Sequence, residues 1–359
     1  MTTEGSFNLR HHGDTEISPG LVDLAVNVRV AEMPKWLRNR LSLSMLSLSA
    51  YPEQSRARAA VAARHGRTPE EVLLTNGAAE AFVLIARSFN PARSHGRTVV
   101  IHPQFTEPEA ALRVAGHSVE RVILNEAEGF HLDTDLVPSD ADLVIIGNPT
   151  NPTSILHSAD VVASLARPGR LLVVDEAFAD CIPGESESLA ARSDLVGVVV
   201  VRSLTKMWGL AGLRVGYLLA EPRIVEMLAL LQPLWPVSTP ALAALEICSS
   251  SEAIAEGDEW ANELVQLRNY LINGLLPLGF DVPGDQRASF VLARIDNAAA
   301  LRERLRTRGW AVRRGDTFPG LGADWIRIAV RDMKTTTAFL NALRIELSQL
   351  ETYGGINVY

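Results

Sequence analysis

A series of short, wholly apolar runs limits what this chain can fold into more than any other feature. Val72–Leu74, Thr98–Ile101, Leu143–Ile146, Leu171–Val174, Val198–Val201 and Val215–Leu219 are rich in Val, Ile and Leu and show no polar alternation. Helical stretches separate many of them, at Gly77–Phe89, Glu107–Ala115 and Ala159–Ala166. Strands apolar on both faces, spaced by helices, predict a mostly parallel sheet covered on both sides, the α/β class. Val198–Val201 and Val215–Leu219 lie too close for a helical crossover, so one strand there is expected to run antiparallel.

The flanks read differently. The first 35 residues are irregular, with an apolar segment Leu21–Val28, and a helix is expected over Pro34–Leu48. After Pro233–Pro240 come two long helices, Ala241–Glu256 and Glu259–Leu276, then strands Ser289–Ile295 and Trp325–Val330. A final helix runs from about Lys334 to Leu350, and Glu351–Tyr359 reads as a loose tail. At 359 residues the chain accommodates a large domain over 36–240 and a smaller α+β domain over 241–359. Residues 1–35 form an arm assigned to the smaller one.

Composition excludes several classes. A net charge of −8 gives the chain no basic footprint for nucleic acid. Cys181 and Cys248 stand far apart, without the spacing of a zinc site or a disulfide framework. Met1–Asp14 carries Glu4, Asn8 and His11 and no apolar core, unlike a signal peptide. Apolar runs such as Leu195–Val201 are too short to cross a bilayer. A cytoplasmic enzyme without metal, membrane or nucleic-acid partner is expected.

Four segments carry chemistry. In Leu171-Leu172-Val173-Val174-Asp175-Glu176-Ala177-Phe178 a buried strand brings a carboxylate to its C-terminal end, where ligands collect in open α/β sheets. An Asp in that place also serves as a helix cap. In Val201-Arg202-Ser203-Leu204-Thr205-Lys206 a lysine follows a strand and two hydroxyl residues, and Arg214 stands eight residues on. Hydroxyls and a guanidinium together can hold a phosphate. Thr75-Asn76-Gly77-Ala78-Ala79 turns from strand to helix, and the free N–H groups of a helix start suit an anion. Gly147-Asn148-Pro149-Thr150-Asn151-Pro152-Thr153 contains two Asn-Pro steps, which force an extended turn that presents amides.

Asn148–Thr153, Asp175–Phe178 and Ser203–Arg214, in this order and spacing, resemble the fold-type-I, class I/II aminotransferases over nearly the whole chain. The resemblance implies pyridoxal 5′-phosphate (PLP) on a large domain with a seven-stranded, mostly parallel sheet. It implies that Lys206 forms the Schiff base and later moves the substrate Cα proton, and that Asp175 pairs with the pyridine nitrogen. Asn151 would donate to the ring O3′, and Phe105 would stack on the ring. The Ala78 and Ala79 amides, Ser203, Thr205 and Arg214 would hold the phosphate. Arg327 would grip the substrate carboxylate. Its strand supports this by pattern, since Ile326, Ile328 and Val330 share one face and leave Arg327 on the other. A homodimer is implied, because the family builds its site from both subunits.

Some positions depart from the family pattern. Phe178 stands where many members have a tyrosine donating to O3′, and Ser154 replaces a usual glycine. Arg29-Val30 replaces a common Asn-Pro after Asn27, so the substrate-side arm is expected to read a different group. His11-His12-Gly13-Asp14, Phe178 and Leu234-Trp235-Pro236-Val237 resemble the threonine-phosphate decarboxylase and cobalamin-pathway branch. Histidinol-phosphate aminotransferase is the alternative. Either implies a phosphorylated amino-acid-like substrate, with Asn27, His12, Arg29 and Tyr51 as candidate ligands, the tyrosine reaching across the dimer interface as the resemblance implies. Transamination and decarboxylation share these motifs, and the choice between them stays open. A non-catalytic amine-binding domain would have no reason to keep Lys206, Asp175, Asn151 and Arg214 together. GxGxxG, GxSxG and HExxH are all absent, which argues against a dehydrogenase, a serine hydrolase and a metal hydrolase.

Overall fold

The structure, a computed structural model, describes residues 7–30, 32–89 and 96–354. Glu4 of the N-terminal segment and residues 355–359 of the expected tail lie outside them. Strand β1 (Val22–Leu24) joins a small sheet. The large sheet contains β2 (Val72–Thr75), β3 (Arg97–His102), β4 (Val119–Ile123), β5 (Ala141–Gly147), β6 (Leu171–Asp175), β7 (Val198–Ser203) and β8 (Gly216–Leu219). Its spatial order is β2-β8-β7-β6-β5-β3-β4. Every pair is parallel except those of β8, which runs antiparallel to both β2 and β7. Alternate residues feed separate cores: Leu172 and Val174 pack into one, Val173 into the other. That is why these runs show no polar alternation.

Helices α1 (Lys35–Ser44), α2 (Ser55–Arg64), α3 (Ala78–Ser88), α4 (Glu107–Val114), α5 (Ala159–Ala163) and α6 (Pro222–Ala229) accompany the large sheet. Helix α7 (Thr239–Cys248) is apolar almost all round and packs on α1 and α2. Packing therefore carries the large layer past Pro240, the expected boundary, to Cys248. The break between the two long helices also falls elsewhere than expected. Helix α8 (Ser251–Leu275) begins where the Ser250 hydroxyl accepts the Ala253 N–H at 3.2 Å, an N-cap. Gly257, between the two expected helices, lies inside α8, and the Met207 side chain occupies the place a Cβ would take.

The small sheet has the order β1-β10-β11-β9, from β9 (Phe290–Arg294), β10 (Trp310–Arg314) and β11 (Trp325–Ala329). The arm strand β1 pairs in parallel with β10, Val22 beside Trp310. Helix α9 (Ala298–Thr307) precedes β10, and α10 (Met333–Gly354) closes the fold, four residues beyond the expected end at Leu350. Among the described residues no helix is long and apolar enough to cross a membrane.

Candidate active site

The carboxyl ends of β5, β6 and β7 stand side by side, with Gly147 opposite Asp175 and Asp175 opposite Val201. Loops leaving these ends converge with the start of α3 on a cavity of about 160 Å³. Ala78, Ala79, Phe105 and Asn151 line it together with Asp175, Ser203, Thr205, Lys206 and Arg214. Ala177 and Phe178 complete the wall. All the residues expected around the cofactor are thus brought together.

One end of the cavity is built from hydrogen-bond donors. Gly77 caps α3 at φ +75°, and a Cβ there would stand 2.8 Å from Arg214 Nη2. The missing side chain lets the guanidinium lie against the helix start, whose first N–H groups have no helical partner. Gly216 acts similarly on β8, since its Cβ would be 3.0 Å from the Ala78 nitrogen. Arg214 itself takes a left-handed φ of +53°. The Ser203 and Thr205 hydroxyls lie 2.8 Å apart on the loop after β7. Helix start, hydroxyls and guanidinium surround one point, an arrangement suited to a phosphate.

At the other end stand Asp175 and Lys206. Asp175 accepts the Ala177 N–H at 3.1 Å. Burial pushes its carboxyl up to about 6, although the Lys206 ammonium pulls the other way. Lys206 is brought down to about 8 by burial and by the Arg327 guanidinium, with Asp175 opposing. Its Nζ lies 5.6 Å from the centroid of the Phe178 ring, which packs edge-on against Phe290. Both shifts leave the pair able to exchange protons near neutrality.

Arg327, on β11, is buried beside this cavity. Its Nη2 donates to the Ala25 carbonyl at 2.6 Å and its Nη1 to Asn151 Oδ1. The guanidinium lies 5.2 Å from the centroid of Phe290. Asn151 therefore belongs to both ends of the site, its oxygen on Arg327 and its NH2 left to donate. Arg327 Nε is buried without a partner, and so are both atoms of the Asn27 amide. Buried polar atoms left in this state mark a place that a polar ligand can complete. The other Asn-Pro step is structural, since the Asn148 amide pins the loop to His157.

The remaining sequence candidates disperse. Arg29 has its guanidinium 5.3 Å from the centroid of Trp260, drawn toward Glu256 and Glu263, and lines a separate hollow. It is therefore not placed to read a substrate in the cavity, and only its backbone N–H reaches the Lys206 carbonyl, at 2.9 Å. Tyr51 is exposed and stacks on Trp235 at 4.1 Å, outside the cavity wall. His12 reaches the site indirectly. Its Nε2 lies 2.7 Å from Glu107 Oε1 and its ring 5.3 Å from Phe105. Arg331 went unnoticed in the sequence, and it clamps the arm by donating to the Asp23, Val26 and Val28 carbonyls. No periodicity or motif marks it, because its partners are backbone atoms about 300 residues away.

The profile of the family "Aminotransferase class I and II" matches residues 20–343. The chain belongs to the class I and II aminotransferases. It is 48% identical over 325 residues to a histidinol-phosphate aminotransferase of Mycobacterium tuberculosis, covering 90% of this chain and 87% of that protein. It is 29% identical to the threonine-phosphate decarboxylase of Salmonella typhimurium, over 94% of this chain and 96% of that one. A histidinol-phosphate aminotransferase from Clostridium acetobutylicum has a similar structure, with a TM-score of 0.83 and 25% identity. That match covers 91% of this chain and 99% of the other.

Membership of this aminotransferase family makes the chain a PLP-dependent enzyme. The residues present fit that cofactor. Gly77 and Gly216 keep the donor end clear of Cβ atoms, Lys206 offers an amine, and Asp175 places a buried carboxyl for a cationic ring nitrogen.

Proposed function

We propose that this enzyme transaminates a phosphorylated amino substrate of the histidinol-phosphate type. The observation that carries this reading is the 48% identity to the mycobacterial protein, over nine-tenths of this chain. It outweighs the short motifs that favoured threonine-phosphate decarboxylation, whose named relative in Salmonella stands at 29%.

In this reading Ala78, Ala79, Ser203, Thr205 and Arg214 would hold the cofactor phosphate, Lys206 would bind the cofactor's aldehyde carbon covalently, and Phe105 would cover its ring. When bound, PLP supplies a sink for the electrons left at the substrate Cα. The Asp175 carboxylate would hold a proton on the ring nitrogen, a role that a buried carboxyl beside a cation suits. Arg327 receives the substrate carboxylate, with its guanidinium oriented by Asn151 and the Ala25 carbonyl. Lys206 removes the Cα proton. An amine brought down to about 8 is basic enough to accept it and partly neutral at physiological pH.

Tyr51, Trp235, Leu46, Leu230 and Leu234 expose apolar surface, which supports a homodimer. The free, buried Cys181 and Cys248 suit a cytoplasmic enzyme.

The deciding experiment offers histidinol phosphate and threonine phosphate separately to the PLP-loaded protein. A keto product from histidinol phosphate, with loss of the cofactor's visible band, is expected. Lys206→Ala should abolish both band and product, lowering kcat by at least ~10³-fold. Carbon dioxide from threonine phosphate, with no keto product from histidinol phosphate, would overturn transamination in favour of the decarboxylase reading.

A further inference from the structure

A second and larger hollow, of about 510 Å³, adjoins the catalytic cavity. Its volume lies in the range of small-molecule sites. Residues next to each other in the chain line the two. Phe178 and Lys206 line the first, while Asp180, Met207 and Trp208 line the second. Helix α8 closes the far side with Ile254 and Asp258.

The guanidinium and imidazole groups in this hollow are already engaged. Arg64 donates to Glu185 at 2.7 Å and to the Cys248 carbonyl at 3.1 Å. Glu185 also receives Arg202, at 2.7 and 2.8 Å. His65 is hydrogen-bonded to the Tyr217 hydroxyl at 2.8 Å, and burial brings it down to about 2, so it is neutral. Acceptors, by contrast, are left over. Asp180 is 9% exposed, and its carboxyl has one weak partner, the Cys181 thiol at 3.8 Å. Asp258 commits one oxygen to the Gly184 N–H and leaves the other without a protein partner.

Charge points the same way. The guanidinium groups of Arg64 and Arg202 are matched by Glu185 and Glu176, the latter 3.1 Å from Arg202. Asp180 and Asp258 remain in excess. A buried carboxyl with so weak a partner is costly, and burial holds Asp180 up at about 7, although the Arg202 and Arg64 guanidinium groups pull the other way. Beside it the Trp208 indole, held edge-on to Trp36 at 5.2 Å, offers an aromatic wall on which a cation is stabilised.

We infer that this hollow is a second ligand site that takes a small organic cation, its head against Asp180 and its apolar body along Met207, Trp208 and Ile254. Amidinium and ammonium heads both meet this description.

The test uses benzamidine, an amidinium on an apolar ring that can donate two N–H bonds to one carboxylate and is no primary alkyl amine. Calorimetric titration of the PLP-loaded enzyme should show saturable binding of one equivalent. Asp180→Asn should weaken it at least tenfold. Ile254→Trp, at a position 39% exposed on α8, should fill the hollow and abolish binding. The cofactor's visible band, recorded in every sample, reports a folded and loaded catalytic cavity. Absence of saturable binding to the wild type overturns the proposal, as does binding that Ile254→Trp leaves intact. Binding that Asp180→Asn leaves intact overturns it as well. Should Asp180→Asn fail to fold, Ile254→Trp decides alone.

Discussion

The cofactor end and the substrate end of the catalytic cavity are built in opposite ways. Around Arg214, Ser203 and the start of α3, the donors are set by strand ends and by glycines that leave room for them. Around Arg327 the framework comes from the arm and the small sheet, and polar atoms of Arg327 and Asn27 are left without partners. The first is a preformed receptor for one group. The second is an incomplete shell, which in the proposed reading a substrate would finish. Preformed donors serve the chemistry that a whole family shares, whereas the adjustable shell is where members can differ.

The largest expected effect tests the cofactor end through pH. Asp175 sits above its ordinary value, so the folded chain keeps a proton that the unfolded chain has released between about pH 4 and 6. Without PLP, stability should therefore fall as pH rises through that window, by about 2 to 3 kcal/mol. Chemical denaturation of wild type and Asp175→Asn at pH 4 and pH 7 isolates this contribution. A slope that is equal in both proteins would show that Asp175 does not feel its burial. Adding PLP should flatten the wild-type slope, because a cationic ring nitrogen draws the carboxyl down.

A smaller effect is expected from Gly77→Ala. The new Cβ meets the Arg214 guanidinium at a φ of +75°, which an L side chain rarely adopts. A cost of ~1–3 kcal/mol implies PLP affinity lower by roughly 5- to 150-fold, read from cofactor retention on dialysis. Unchanged retention would mean that Arg214 is not held against the helix start.

The smallest belongs to the substrate end. Arg331→Met removes the clamp on the Asp23, Val26 and Val28 carbonyls and frees the arm that carries Ala25 and Asn27. KM should rise about fivefold with little change in kcat and none in the cofactor band, a loss of ~1 kcal/mol. An equal fall in kcat would mean that the two ends are not independent.

Ser154 shows the limit of motif reading. As a replacement for a usual glycine it suggested little, yet it adopts a left-handed φ of +63°. Its hydroxyl accepts the Ala288 N–H at 2.7 Å, just before β9. The serine thus ties the Asn-Pro loop to the small sheet. Strands β4, at the edge of the large sheet, and β10, inside the small one, were also hard to read. In β4, Glu120 and Ile123 are exposed, and β10 ends in two arginines, so neither resembles the apolar runs of the large sheet's centre.

By itself the sequence determined the mostly parallel sheet, one antiparallel strand at its β7–β8 region, the family, and the residues that gather around one cavity. Central strands are buried on both faces and therefore apolar over most of their length, and the polar residues at their carboxyl ends emerge at one edge because parallel strands end on the same side. Only the tertiary structure decided where Arg29 and Tyr51 point, which arginine clamps the arm, and that α7 belongs with α1 and α2. Those outcomes depend on contacts between segments as much as 300 residues apart, made to backbone carbonyls or aromatic faces that leave no periodic mark on either partner. The second hollow is of the same kind. Asp180 and Asp258 are unremarkable in the chain, and only the packing of α8 over the turn after β6 brings their carboxyls to one cavity.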